Sequence, residues 1–314
     1  MPAPRPYVGR FAPSPTGLLH LGSLTCALAS YLDARQHGGR WLLRIEDIDP
    51  PREQPGASAA IIRCLAAHGL ESDGPILWQS QRSAAYHESL DWLADRQLTY
   101  PCDCSRARLA NLHSIYDGHC RQHPASHPAA LRLKTRDLPA AFQHISSNIV
   151  FQDRHRGERF EDLASTGDFI IHRKDGLFAY QLAVVVDDIA QNITHVVRGN
   201  DLLETTARQI FLFNLLGAPT PRYCHIPVVS NELGQKLSKQ NLALPLNEAT
   251  PSANLWCALK ALGANPPANL LKAKPRAILD WGEQNWSPSQ LSTGNMVPGH
   301  TLSPALEVSG EQQS

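Results

Sequence analysis

The sequence predicts a doubly wound α/β fold, on three observations. Short apolar segments alternate with helical ones through the first third of the chain. WLLRI, residues 41–45, is nearly continuously apolar, as strands covered on both faces are. RFAPSPTGLLHLGS, residues 10–23, joins a strand to a helix through a turn rich in proline and glycine.

The elements follow in order. YVGRFAP reads as a strand stopped by Pro13 and Pro15. After Gly22, Leu24, Leu28 and Leu32 recur at helical spacing. GRWLLRIEDID is the second strand, ASAAIIRCLAAHG a helix ending at a glycine, ILWQS a short strand, and SAAYHESLDWLADRQ an amphipathic helix. From Tyr100 to about Arg136 the chain turns rich in Cys, His and Arg and reads as an insertion. FIIHRKDGLFAY, with Asp175-Gly176 between apolar runs, predicts a hairpin. THVVRGNDLL, ETTARQIFLFNLLG and CHIPVVS then resume the alternation as strand, helix, strand. Beyond Lys239 the pattern predicts one helix, NLWCALKAL, and a polar, flexible tail. Four units are expected: 1–100 and 181–245 as halves of one catalytic domain, 101–180 as the insertion, and 246–314 as a short helical segment.

Lys+Arg and Asp+Glu both number 29, so any nucleic-acid contact must come from a local basic face. The N-terminal residues have no apolar signal core, and no run reaches the length of a membrane span. Seven cysteines without a secretory signal favour a reducing cytoplasm over a disulfide framework. Cys26, Cys64, Cys224 and Cys257 read as ordinary small buried residues.

A strand, a glycine turn and a helix N-terminus form an anion site, because backbone N–H groups and the helix dipole point the same way. Gly17 and Gly22 allow close approach to the backbone, and His20, just before the helix, is placed to hydrogen-bond a phosphate oxygen. The alternative is a histidine that only caps the turn. A second segment adds to the first reading: KLSKQ, with Lys236, Ser238 and Lys239, offers two point charges in a glycine-containing loop that can close over a triphosphate.

HLGS resembles the HIGH signature of class I aminoacyl-tRNA synthetases, with Ser23 in place of the final histidine, and KLSKQ resembles their KMSKS loop. RFAPSPTGLLHLG, RIEDID, AVVVDDIAQNITHVVRGNDL and HIPVV resemble the glutamyl-tRNA synthetase subgroup, over roughly residues 5–245. This resemblance implies a Rossmann-like catalytic domain that activates L-glutamate with ATP and Mg²⁺ and passes it to tRNA. It also implies that Arg10, Phe11, Ala12, Pro13, Ser14, Glu46, Tyr180 and Arg198 hold the amino acid. ATP falls to His20, Gly22, Ser23, Lys236, Ser238 and Lys239, with His20 and Lys239 as the catalytic pair. The residue types suit such a substrate, since arginines clamp carboxylates in forked geometry, Glu46 meets an ammonium, and Tyr180 fixes an oxygen. Which arginine takes which carboxylate stays open. Asp47 and Asp49 are expected in salt bridges within RIEDID.

Cys102, Cys104 and Cys120 suggest tetrahedral zinc in a structural role, against the alternative of free thiols in a Cys-rich loop. Chemistry alone would take the fourth ligand from His113, His119 or His123, whereas the resemblance implies Tyr116. Residues 240–314 are too few for the large helical anticodon-binding region that the subgroup carries after this loop. The chain therefore resembles the branch of the subgroup that attaches glutamate to the queuosine base of tRNA(Asp), with the anticodon stem-loop as partner, no membrane and a monomeric state. A reduced synthetase charging tRNA(Glu) and a silent RNA-binding paralogue are the alternatives.

Overall fold

The structure, a computed structural model, describes residues 5–112, 115–123, 125–126, 128–231, 234–237 and 244–302. Its strands are β1 Val8–Phe11, β2 Arg40–Ile45, β3 Leu77–Trp78, β4 Thr99–Cys102, β5 Ala130–Leu133, β6 Asn148–Asp153, β7 Gly157–Asp162, β8 Phe169–His172, β9 His195–Gly199, β10 Arg222–Ile226, β11 Val228–Ser230 and β12 Met296–Pro298. Its α-helices are α1 Leu21–Gln36, α2 Ala57–Ala67, α3 Ser83–Asp95, α4 Arg106–Ala110, α5 His119–Gln122, α6 Leu163–Thr166, α7 Tyr180–Ala190, α8 Thr206–Leu215, α9 Pro251–Ala261 and α10 Pro275–Asn285.

Two parallel sets make the centre. β1, β2 and β3 run in that order, with Val8 opposite Arg40 and Phe11 opposite Leu43. β9 and β10 pair in parallel from Arg222 opposite His195 to Ile226 opposite Gly199. The sets meet between β1 and β9, where the Thr194 amide donates to the Val8 carbonyl at 2.9 Å and the Val8 amide to Thr194 Oγ1 at 2.8 Å. Here the chain order reverses, and such reversals leave a crevice beyond the carboxyl ends of the strands.

The period of two along the strands builds a layer on each face. Trp41 and Leu43 join Leu24, Leu28 and Leu32 of α1 and Leu259 and Ile278 of α9 and α10. Val8 and Leu42 join Tyr86, Leu90 and Leu93 of α3, Leu182 and Val185 of α7, and Phe211 of α8. Gly282 permits the approach of α10 to α1, since a Cβ there would lie 3.2 Å from Leu32 and from Leu259.

Between the two parallel sets the chain builds the antiparallel sheet β4-β5-β8 and the hairpin β6-β7, which joins β10 at Asp153 opposite Tyr223. Four expectations change. The hairpin at Asp175-Gly176 keeps its turn, with Gly176 at φ +84°, but its second run contributes only one bridge, His172 with Phe178, before α7 begins. ILWQS shortens to Leu77–Trp78, and CHIPVVS is split at Pro227, which has no N–H for a ladder. The C-terminal part holds α10 besides α9; Gly282 inside α10 had masked its helical pattern. The flexible-tail expectation falls largely on residues 303–314, outside the described residues. No helix among the described residues is long and apolar enough to cross a membrane.

α7 is fixed from below by its own carboxylate. Asp187, fully buried, accepts from Gln79 Nε2 at 2.8 Å, Tyr86 Oη at 2.7 Å and Arg82 Nε at 3.1 Å. Removing that acceptor strands three donors. Asp187→Ala is expected to lower the unfolding free energy by about 3 kcal/mol, read from urea denaturation.

Candidate active site and thiol cluster

A cavity of about 520 Å³ opens where β1 and β9 part. Every described residue that the resemblance implied for glutamate or ATP lines it: Arg10 and Phe11 at the end of β1, Ala12, Pro13 and Ser14 just after it, His20, Gly22 and Ser23 at the start of α1, Glu46 after β2, Tyr180 at the start of α7, Arg198 on β9, and Lys236. Ser238 and Lys239 lie outside the described residues.

The start of α1 is held by a reciprocal cap. The Ser23 amide donates to His20 Nδ1 at 3.3 Å, while Ser23 Oγ lies 2.8 Å from both the amide and the carbonyl of His20. Because Nδ1 accepts, the imidazole proton sits on Nε2. A Cβ on Gly22 would come within 3.2 Å of this ring, so glycine is what lets His20 lie over the turn. The serine in place of the signature's final histidine thus has a structural role of its own.

Beneath the cavity lies a charge network whose inner members carried no assigned role. Asp188 of α7 accepts from Arg10 Nε and Nη2, both at 3.3 Å, and from Arg44 Nη1 at 2.7 Å. Burial alone would raise the Asp188 carboxyl, but Arg10 and Arg44 hold it below the usual carboxylate range. Arg44, fully buried, also reaches Glu46 Oε1 at 3.5 Å. For Glu46 the balance reverses: burial raises its pKa despite Arg44 and Arg10, and its buried Oε1 has no hydrogen-bond partner. An acidic pair inside an apolar helix, AVVVDDIA, was the available signal for Asp187 and Asp188, because carboxylates are buried only where cations or donors meet them.

Arg198 stands differently. It is 5% exposed, and its guanidinium donates to His225 Nε2 at 3.0 Å, Gln209 Oε1 and Thr206 Oγ1 at 2.8 Å each, and Tyr180 Oη and the Leu202 carbonyl at 3.4 Å each. All are neutral, and no carboxylate lies within 4.0 Å of it among the described residues. A buried cation surrounded by dipoles alone is a receptor for an anion entering the cavity.

His225 fixes this geometry from behind. Its Nδ1 donates to Asp153 Oδ2 at 2.6 Å, which leaves the Nε2 lone pair to meet Arg198. Burial pushes the His225 pKa down to about 4, against the pull of Asp153. Other groups are set by their surroundings too. Lys236 pairs with Asp201 at 2.5 Å on the rim, and burial, with Asp201 nearby, drives the Cys26 thiol up to about 12, so it is no nucleophile. Asp47 and Asp49 find partners outside RIEDID: Ser80 amide and hydroxyl for Asp47, Arg52 and Arg173 for Asp49. Neither carboxylate forms an ion pair within RIEDID among the described residues, so the expected internal bridges are replaced by these.

The thiol cluster lies in the insertion. Sγ atoms of Cys102, Cys104 and Cys120 fall within 4.8 Å of one another, and Cys104 and Cys120 are 3.4 Å apart. Tyr116 Oη lies 3.5 Å from Cys102 Sγ and 3.9 Å from Cys104 Sγ. These spacings match the edges of a tetrahedron around one metal ion. His119 and His123 stack on each other instead, with His123 Nδ1 on the His119 carbonyl, and neither belongs to the cluster; His113 lies outside the described residues. Burial opposes ionisation of Cys102, yet Arg132 Nε at 3.2 Å and Tyr116 bring its thiol down to about 7. Cys104, by burial and by its neighbours Cys120 and Cys102, rises to about 11.

Residues 7–250 match the family model described as tRNA synthetases class I (E and Q), catalytic domain. The glutamyl-Q tRNA(Asp) synthetase of Pseudomonas fluorescens is 48% identical over 299 residues, 95% of this chain and 97% of that one. That of Thiobacillus denitrificans is 50% identical over 301 residues, 94% and 98% of the two chains. In fold, the chain is similar to the crystal structure of glutamate-tRNA synthetase from Elizabethkingia anophelis, with a TM-score of 0.75 at 23% identity, covering 95% of this chain and 69% of that one. The chain belongs to the class I tRNA synthetases, in the group of the glutamyl-Q tRNA(Asp) synthetases, and is a ligase.

Acid should expose the role of His225. Its folded pKa lies below the ordinary 6.5, so between pH 6.5 and 4 the unfolded chain binds the extra proton and stability rises with pH. His225 is expected to contribute about 3 kcal/mol to the fall in unfolding free energy from pH 6.5 to 4, and His225→Gln to remove that share while the share of His195, whose pKa is likewise pushed down to about 4 by burial, remains; denaturant unfolding across the range measures both.

Proposed function

We propose that the protein activates L-glutamate with ATP as glutamyl-adenylate and transfers it to the queuosine base at the wobble position of tRNA(Asp). The observation that carries this reading is Arg198, a buried cation with neutral partners only, at the wall of a cavity lined by the residues that the glutamyl subgroup implies. Such a site takes a carboxylate in forked geometry.

Glutamate brings two carboxylates and one ammonium. Arg198 and Tyr180 bind one carboxylate, Arg10 is held by Asp188 to meet the other, and the ammonium pairs with Glu46, whose buried Oε1 has no hydrogen-bond partner. An oxygen of the substrate α-carboxylate then attacks the α-phosphorus of ATP in line, and pyrophosphate leaves with the electron pair of the broken P–O bond. No side chain becomes covalently attached. His20 donates from Nε2 to the phosphate oxygens, the positive end of α1 faces the same charge, and Lys236 and Lys239 neutralise the departing pyrophosphate; Mg²⁺ bound with ATP would supply further positive charge there. A hydroxyl of the queuosine cyclopentenediol then attacks the adenylate carbonyl and AMP leaves.

The thiol cluster fits zinc, with Cys102, Cys104, Cys120 and Tyr116 as ligands. Bound there, the ion would cross-link the insertion and stabilise the thiolates. We further propose that the catalytic domain is formed by 1–100 and 181–245, that 101–180 is the metal-bearing insertion, that 246–314 is a short helical C-terminal segment, and that the enzyme works as a cytoplasmic monomer.

Transfer of labelled glutamate with ATP onto queuosine-bearing tRNA(Asp), unmodified tRNA(Asp) and tRNA(Glu) tests the reading. Label confined to the first supports it, and label on tRNA(Glu) replaces it with a charging enzyme. Cys102→Ser with Cys104→Ser should remove about one zinc per chain by elemental analysis and lower thermal stability; a parent that contains no zinc refutes the assignment.

A further inference from the structure

A second cavity, of about 510 Å³, shares a wall with the first. The wall consists of the first turns of α7 and α8, and adjacent residues face opposite ways. Tyr180 lines the first cavity and Gln181 the second; Gln209 binds Arg198 of the first, while Arg208 lines the second. The far side is the metal-bearing insertion, which contributes Arg106 of α4, Ile115 and Arg132 of β5.

Three features define what fits. The first is charge. Arg106 and Arg208 have no ion pair within 4.0 Å among the described residues. The acid in the lining, Asp168, is already held by both Arg121 nitrogens at 2.6 Å and by Tyr100, so the cavity is net cationic. Glu161 faces Arg208 from β7, outside ion-pair distance. The second feature is a reading group: Gln181 is 9% exposed, and its buried Oε1 has no hydrogen-bond partner. The third is flat and apolar surface. The Arg132 guanidinium lies 3.7 Å over the Tyr116 ring, Phe169 forms part of the floor, and Ile115 stands 54% exposed in the lining. Unpaired arginines, one orphaned amide and planar surfaces are what a single RNA nucleotide asks of a protein.

We infer that this cavity takes the nucleotide next to the acceptor nucleotide of the RNA, with its phosphate against Arg106 and Arg208 and the edge of its base on Gln181. The inference rests on the proposed transfer to RNA. The shared wall gives it a purpose: a nucleotide anchored on the Gln181 side sets where its neighbour lies on the Tyr180 side, beside the activated glutamate. It also gives the thiol cluster a connection to the RNA, since Arg132 Nε donates to Cys102 Sγ at 3.2 Å.

The test separates activation from transfer. Gln181→Ala, Arg208→Ala and Arg106→Ala are compared with the parent in glutamate-dependent ATP–pyrophosphate exchange without RNA, and in transfer to a queuosine-bearing stem-loop. Exchange should stay within about twofold, while KM for the RNA rises about tenfold. The slope of log affinity against log salt should fall by about 0.7 for each lost phosphate contact. Arg106 is exposed, so Arg106→Ala reads the effect without disturbing the core. A stem-loop with an abasic site beside queuosine should weaken binding to the parent and not weaken binding to Gln181→Ala further. Variants that match the parent in KM and slope, or an abasic loss that adds to the Gln181 loss, overturn the inference alone. A parent that labels no queuosine-bearing RNA defeats the transfer reading and this inference with it.

Discussion

Asp188 is the constraint on which the glutamate end of the site depends. It brings a carboxylate from α7 between Arg10 of β1 and Arg44 of β2, so three elements far apart in sequence are fixed by one buried group. Without it, two guanidinium groups would repel each other under the cavity floor, and burial would disfavour both charges. With it, Arg10 is tethered by Nε and one terminal nitrogen while Arg44 becomes a fixed positive support under Glu46. The positive and negative groups of the floor therefore face a substrate carrying both signs of charge.

The two buried arginines of the cavity are prepared in opposite ways. Arg10 is held by a charge, Arg198 by dipoles. A carboxylate partner fixes an arginine but also consumes its attraction for an incoming anion, whereas hydrogen bonds to Gln209, Thr206 and His225 fix it and leave the charge outstanding. His225 can serve only while neutral, which burial and the facing charge of Arg198 ensure, while the hydrogen bond to Asp153 keeps the proton on Nδ1 and leaves Nε2 to accept. A cationic imidazole would face Arg198 with a second positive charge.

Much of the α/β alternation was legible because buried strands and helices differ in period, and Leu24, Leu28 and Leu32 announced α1 directly. What stayed hidden had local signals that pointed elsewhere. The β6-β7 hairpin turns through Arg154, His155 and Arg156 before Gly157, a charged stretch without the usual asparagine-glycine or aspartate-glycine pair. In the site, residues next to motifs were readable, since RFAPSP and HLGS crowd them into short segments. Asp188, Gln209 and His225 were not, because each acts by touching another side chain brought near only by folding. Arg44 stands within RIEDID, yet nothing in one dimension distinguishes a buried support from a surface cation.

The single register position that joins β6 to β10 has an evolutionary consequence. Asp153 opposes Tyr223 there, and the same residue supports His225 behind Arg198. Away from the turn, the outward-facing pair Val150 and Phe160 lies exposed and is free to drift in sequence. The turn end, where Asp153 stands opposite Gly157, is not. A one-residue slip at Asp153 would turn the carboxylate to the other face of the strand and release the imidazole. Variation in this ribbon should therefore be graded, permissive at the outward-facing positions along its strands and forbidden beside its turn.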